Sequence, residues 1–459
     1  MLFHSWTFLI FFAVVYPIYL LVKGSRYRSW WLLVASYVFY GWWNPLYPVL
    51  IAYATTVDYL VVLAMDRWRI RKTLFLALSV VNNLALLGFF KYGAFITENL
   101  NALLKRLGLG YVIPMPDLLL PVGISFFVFQ SMSYTVDFYR GKVEKEPNLI
   151  RYATFVSLFP RLLAGPIERA RNLLPQLRRT PQIGTQDVTD GLSLFVVGLF
   201  KKVALADYLA TYVDEVYAVP DLYEAPALAL ATFAFAWQIY FDFSGYTDMA
   251  RGIARLMGMR IMLNFNNAYL AVGLGDFWSR WHISLSTWFR DYVYIPLGGN
   301  RKGALRTYIN MCATMVISGL WHGAQWTFVI WGAVHALGRV FTRRLEQTTF
   351  YRDRVPRGIK QAFVFLFVCF CWIFFRAATF SDACLIIKRI ATSGFADPRC
   401  PLLMLAQIAA VWVYQFAYES RLKRALELGV VRVVLVAAML LYLALFATSS
   451  SRPFIYFQF

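Results

Sequence analysis

Four histidines are spread over a chain of 459 residues: His4, His282, His322 and His335. Imidazole changes charge near neutral pH, so in an apolar setting each is a candidate for moving a proton. His4 lies beside the first residue and reads as interfacial. His335 stands in WGAVHALG among small residues, where a helix-packing hydrogen bond is the competing role. His322 stands in SGLWHGAQW, at the end of an apolar run and flanked by Gly319 and Gly323, which let another chain or a substrate approach closely. His282 stands in FWSRWHISLSTWFRDY. Both of the latter sit where the apolar pattern breaks, and for each a structural and a functional reading stand side by side.

Carboxylates inside apolar runs are the second resource for chemistry. Asp58, Asp137, Asp242 and Asp248 would each be costly in hydrocarbon unless paired or facing a cavity. A proton-coupled transporter would need such groups. Asp242 and Asp248 also bracket Ser244-Gly245, a pattern that predicts a helix break with a capping carboxylate. The soluble-enzyme signatures GxxxxGK, HExxH and GxSxG are missing, and Gly273-Leu-Gly275 is too little for a dinucleotide site. Cys312, Cys369, Cys371, Cys384 and Cys400 form neither a CxxC pair nor a metal-type spacing, so they read as small buried hydrophobes without a disulfide framework and no metal is expected.

The elements that must position these groups belong to a membrane. The chain is 59% hydrophobic and only 15% charged, against roughly 45–50% and 25% in soluble domains. In lipid, backbone polar groups are satisfied only within helices or a closed barrel. Long continuous apolar runs, rather than ten-residue alternating segments, select helices. Candidate spans are Trp6–Val22, Trp30–Trp43, Tyr47–Met65, Thr73–Phe90, Leu118–Phe138, Tyr152–Ala164, Leu192–Leu209, Ala225–Tyr240, Ala304–Leu320, Trp326–Phe341, Gln361–Phe375, Leu402–Phe416 and Val430–Ala447. Several fall short of the roughly 20 residues of a full crossing, so about 11–13 transmembrane helices are expected. Met1–Val22 lacks a basic leader and a cleavage site, and reads as the first retained span.

The net charge of +20 follows from basic loops such as Arg67–Lys72 and Arg169–Arg179. In a membrane protein such loops set topology, and they place the N-terminus outside. No nucleic-acid partner is implied. One segment departs from the pattern: residues 264–301 are too polar to span and too aromatic for a solvated loop, with Arg280, Trp281, Arg290 and Asp291 among several rings. Irregular backbone at membrane depth is tolerated only when buried in protein or lining a cavity. A re-entrant or interfacial stretch is expected there, and with it the site; an amphipathic helix lying on the membrane is the alternative. No internal repeat or linker divides the chain, so a single domain spanning residues 1–459 is expected.

The stretches QIYFDFSGYTDMARGIARLMGMRIMLNFNNAYL, DFWSRWHISLSTWFRDYVYIPLGGNR and GLWHGAQWTFVIWGAVHALG together resemble the membrane-bound O-acyltransferase (MBOAT) family. The likeness is strongest to its bacterial branch acting on alginate and teichoic acids, with weaker echoes in LLPVGISFFVFQSMSYTVDFYRG, FVSLFPRLLAGPIERA and CWIFFRA. The resemblance implies an all-α integral membrane fold, a toroidal bundle with re-entrant segments around a thinned centre where a cytoplasmic acyl thioester meets an acceptor from the other side. It implies that His322 is catalytic, with His282 as a second catalytic-site histidine in a supporting role that positions the donor or the acceptor. Arg280, Trp281 and Trp321 then supply N–H donors for the thioester oxyanion, and Asp291 supports them.

The same resemblance implies a multi-pass protein of the bacterial inner membrane that takes no bound cofactor. It implies acetyl-CoA as acyl donor, a polysaccharide acceptor, and an extracytoplasmic SGNH-type acetyltransferase as partner. D-alanyl transfer to a cell-envelope polymer is the alternative within the family, and a proton-coupled transporter the alternative outside it. Finally, the end of the chain, SRPFIYFQF, is similar to the motif in which a small partner of the D-alanylation system carries an acyl group on tyrosine. Residues 452–459 are therefore expected to form an acyl-relay motif with Tyr456 as its acceptor; an aromatic interface anchor is the other reading.

Overall fold

A computed structural model describes residues 1–116, 121–396, 401–446 and 452–455, and every regular element among them is helical. Five helices are long and apolar enough to cross a membrane: Tyr47–Arg67, Arg69–Phe90, Ala225–Leu256, Arg357–Arg376 and Gly429–Phe446. Trp6–Val22 and Leu402–Tyr418 are apolar but shorter. Much of the apolar surface points outward. The Gly429–Phe446 helix has no buried residue, and its Val430, Val433, Leu441 and Phe446 are exposed, as a lipid-facing helix requires.

Most expected spans coincide with helices. Trp6–Val22 begins where Ser5 accepts a hydrogen bond from the Phe8 amide, an N-cap that removes one orphan donor. The expected span Leu118–Phe138 begins outside the described residues and is helical from Ile124. Two others differ for identifiable reasons. The run Tyr152–Ala164 is helical only through Ser157; Pro160 removes a donor, and the following stretch to Pro166 is buried turn. The run Ala225–Tyr240 continues to Leu256 as one helix of 32 residues. Its expected break at Ser244-Gly245 is absent. A Cβ at Gly245 would lie 2.7 Å from the Gly198 carbonyl oxygen, and one at Gly198 would lie 2.5 Å from that of Gly245. The glycines mark a backbone crossing rather than a helix end.

The chain divides into two compact units. The first comprises Met1–Leu192 and Ala250–Met262. Tyr19 Oη donates to the Met257 carbonyl at 2.6 Å and Arg255 pairs with Asp187 at 2.8 Å, tying its later segment to its earlier one. At its centre Asp58 accepts from Ser79 at 2.6 Å, from Asn83 at 2.9 Å and from Ser131, whose hydroxyl also meets Tyr152 Oη at 2.9 Å.

The second unit comprises Ser193–Met249 and Leu263–Phe459. It holds the Gly303–His322 and Trp326–Leu345 helices, the Arg357–Arg376 helix and the irregular stretch 264–301. That stretch is a succession of short pieces: a 3₁₀ turn at Ala268–Leu270, helices Leu274–Arg280 and Ile283–Phe289, and a π turn at Arg290–Tyr294. A second π turn, Lys201–Ala206, joins the Thr185–Phe200 and Asp207–Ala218 helices within the expected span Leu192–Leu209.

Candidate active site

His322 is the last residue of the Gly303–His322 helix, and its position follows from the glycines around it. A Cβ at Gly319 would collide with the Phe328 carbonyl, and one at Gly332 would lie 2.5 Å from the Met315 carbonyl oxygen. The two helices of this hairpin therefore touch backbone to backbone, as small residues permit. A Cβ at Gly323 would enter the Phe328 ring, so the turn closes tightly behind His322. The imidazole, 5% exposed, has ring centroids at 5.1 Å from Trp321, 5.1 Å from Trp331 and 5.2 Å from Phe375, each edge to face.

His282 lies between the Leu274–Arg280 and Ile283–Phe289 helices in the left-handed region, φ 42°. A non-glycine residue adopts that conformation only where its surroundings hold it. Asn264 does so: its backbone carbonyl accepts from the Ile283 amide at 2.9 Å and its side-chain oxygen accepts from the Ser284 amide at 3.1 Å. Ser286 Oγ closes the turn on the Trp281 carbonyl at 3.0 Å. The His282 ring packs against Phe243 at 4.6 Å and Phe265 at 6.4 Å. Burial among these rings pushes its pKa down to about 3, so the imidazole is neutral at physiological pH.

Trp321 joins the two histidines, with its ring 6.2 Å from His282 and 5.1 Å from His322. Trp281, 1% exposed, reaches the same cluster through Trp372 at 5.2 Å, and Trp372 stacks 6.1 Å from Trp331. The other expected site residues lie in different company. Arg280 pairs with Asp276 at 2.7 Å and Glu419 at 2.6 Å, and Asp291 pairs with Arg290 at 2.8 Å. These ion pairs engage the charged side chains flanking the rings. His335 is wedged between Trp331 at 4.7 Å and Trp278 at 5.1 Å. Tyr456 lies outside the described residues, although Phe454 and Ile455 just before it are buried.

Asp242 and Asp248 are ion-pair partners and not helix caps. Lys202 meets Asp242 at 2.7 Å and Asp207 at 2.8 Å, and Lys201 meets Asp248 at 2.7 Å. The π turn is what places two consecutive lysines against one helix; such turns recur at functional sites. Among the described residues no three His, Cys, Asp or Glu side chains converge as a metal site would need.

Two sets of residues escaped the sequence reading. Asn264, which holds the His282 turn, is one of three asparagines within residues 264–267 and carries no local signal. Phe375 and Trp372 form part of the wall around His322 and its partner rings; they lie in CWIFFRA, whose weak family echo was the one available sign.

Chemically, the arrangement offers imidazoles set in a water-poor aromatic enclosure. Such a setting strengthens any electrostatic interaction made inside it. It suits proton transfer to or from a hydroxyl held against His322.

Comparison with known proteins gives the same direction. The sequence profile of the membrane-bound O-acyltransferase family matches residues 66–381. The chain is 41% identical over 417 residues to a probable alginate O-acetylase of Pseudomonas putida, covering 90% of this chain and 84% of that protein. It is 34% identical to a peptidoglycan O-acetyltransferase of Helicobacter pylori, covering 80% of this chain and 74% of the relative. It is 26% identical to a teichoic acid D-alanyltransferase of Bacillus subtilis, covering 64% and 79% respectively. The matched span contains both histidines, the glycine-packed hairpin and the aromatic wall, so this chain belongs to the membrane-bound O-acyltransferase family and is an integral membrane O-acyltransferase.

Proposed function

We propose that the protein passes an acetyl group from a cytoplasmic thioester, acetyl-CoA, across the membrane for O-acetylation of an extracytoplasmic polysaccharide, with His322 as general base. The observation that carries this reading is the enclosure of His322 by Trp321, Trp331 and Phe375 at the end of a glycine-packed hairpin, with His282 one ring away. The names of the most similar relatives support acetyl over D-alanyl: O-acetylases match at 41% identity, a D-alanyltransferase at 26%.

In this reading His322 takes the proton from the accepting hydroxyl as its oxygen attacks the thioester carbon. The C–O bond forms, the C–S bond breaks, and the thiol leaves with a proton returned by the imidazole. General-base assistance of this kind contributes about 10²–10⁴-fold. Trp281 and Trp321 supply N–H groups for the oxyanion, with Arg280 and Asp291 acting at the edge of the enclosure. The accepting hydroxyl is the phenol of Tyr456, which hands its acetyl ester to an SGNH-type partner outside the cell membrane. The partner then acetylates the polymer. The setting is the inner membrane of a bacterial cell.

The test compares the purified protein with His322→Ala, given acetyl-CoA or a D-alanyl carrier thioester, and follows thiol release and intact mass. Thiol release from acetyl-CoA by the unmodified protein alone, with an acetyl adduct mapped to Tyr456, is expected. Release only from the D-alanyl thioester would overturn the acetyl reading, and unchanged release by His322→Ala would remove the general base.

A further inference from the structure

The second unit contains an ion cluster that the proposed transfer step does not use. Lys202, Asp207 and Asp242 have side chains only 4%, 7% and 4% exposed. One ammonium faces two carboxylates, so the cluster carries a surplus negative charge. A buried charge of that kind needs further hydrogen bonding. The structure shows what supplies it: Asp242 Oδ2 accepts from the backbone amide of Ile455 at 2.7 Å. Arg452, three residues earlier, pairs with Asp214, which also pairs with Arg376 at 2.7 Å. Three cations thus meet three carboxylates, and one of the cations, Arg452, belongs to the C-terminal segment.

Packing reinforces the charge match. Phe454 is 1% exposed and Ile455 3% exposed. The Phe454 ring lies 5.0 Å from Tyr246 and 5.6 Å from Phe243, and Phe243 is the ring that touches His282 at 4.6 Å. Four features therefore converge on residues 452–455: an ion pair, a buried ring, a buried aliphatic side chain and a hydrogen bond to a buried carboxylate.

We propose that the Lys202–Asp242 pair is a latch for the chain's own C-terminal segment, with Asp242 as the positioning residue that holds the Ile455 backbone. Lys202 holds the Asp242 carboxylate in place at 2.7 Å; Asp242 fixes the last backbone amide before Tyr456. The latch deepens the relay reading and rests on it for its purpose, while its geometry stands apart from it. The consequence is that the acceptor hydroxyl is delivered by a seated segment whose seat is set by charges remote from the histidines.

The experiment uses the full chain in nanodiscs with Ile455→Cys, which keeps the backbone amide. Maleimide labelling of that cysteine is followed at the peptide level. Slow labelling is expected, because position 455 is buried. Adding Asp242→Asn should speed labelling by about tenfold or more, as loss of a charged hydrogen-bond acceptor implies. Phe454→Ala, which alters only the segment, should do the same. Asp248→Asn, which disturbs the neighbouring Lys201 pair, should leave the rate unchanged. Equal rates in the Asp242→Asn, Phe454→Ala and parent proteins would overturn the latch. If Asp242→Asn fails to fold, Phe454→Ala decides alone. Acetyl transfer separates the two ideas: full transfer by Tyr456→Phe alongside faster labelling in Asp242→Asn would keep the latch and remove the relay.

Discussion

Asp58 and His322 are buried to nearly the same degree, 0% and 5% exposed, yet their neighbours are of different kinds. Around Asp58, in the first unit, three polar side chains from two helices point inward and donate to the carboxylate. Around His322, in the second unit, three aromatic rings stand edge to face with the imidazole. Hydrogen bonds hold Asp58 in place, whereas ring contacts hold His322. If the proposed function holds, the contrast separates a polar group kept for cohesion from one kept for reaction.

Substitutions can break that contrast. The largest effect is expected from His322→Ala: acetyl transfer should fall by about 10²–10⁴-fold, with the thermal unfolding midpoint in detergent close to that of the parent. A matching fall in stability would place His322 with Asp58. Gly319→Ala comes next, because its methyl would collide with the Phe328 carbonyl, which is backbone and cannot swing aside. Overpacking of this kind costs about 1–3 kcal/mol or more, and both the unfolding midpoint and transfer should drop.

Asp58→Ala should do the opposite of His322→Ala. Asp58→Ala removes the acceptor shared by Ser79, Asn83 and Ser131, and each buried donor left unsatisfied costs about 1–3 kcal/mol. The yield of folded protein should therefore fall while transfer per folded molecule holds. Loss of transfer in well-folded Asp58→Ala would give this carboxylate a place in the reaction and revive the transporter-like reading of its chemistry. The smallest effect is expected from Asn264→Ala, which removes one of the two hydrogen bonds holding the His282 turn without removing a ring. Transfer should fall by roughly tenfold, the kinetic equivalent of about 1.4 kcal/mol. Asn264→Asp, which retains the oxygen accepting from Ser284, should recover part of it.

The helices were largely legible in the sequence because lipid imposes a simple rule: a continuous apolar run must be helical. The rule fails where a residue's neighbours come from distant sequence. Pro160 stops a helix inside an apolar run, and the run alone hides the stop. Gly245 reads as a break because the Gly198 that it faces lies 47 positions away in sequence. Asp242 and Asp248 read as caps for the same reason, their lysines being on the distant π turn Lys201–Ala206.

The site shows the same division. His322 and His282 stand out by type and by the breaks around them. Arg280 and Asp291 stand out by type as well, but their ion pairs cannot be seen from their own segment. Asn264 and Phe375 do their work through shape and hydrogen bonding, which residue type does not announce.

The seating of Ile455 on Asp242 joins positions 213 residues apart. A ribosome adding roughly 5–20 residues each second therefore leaves Asp242 waiting about 10–40 s for its last partner. During that interval Lys202 can already neutralise much of its charge, so the nascent bundle is not left with a bare carboxylate. Residues 452–455 can reach Asp242 only once the aromatic enclosure around the histidines has been synthesised, so this seat is the later of the two to be completed.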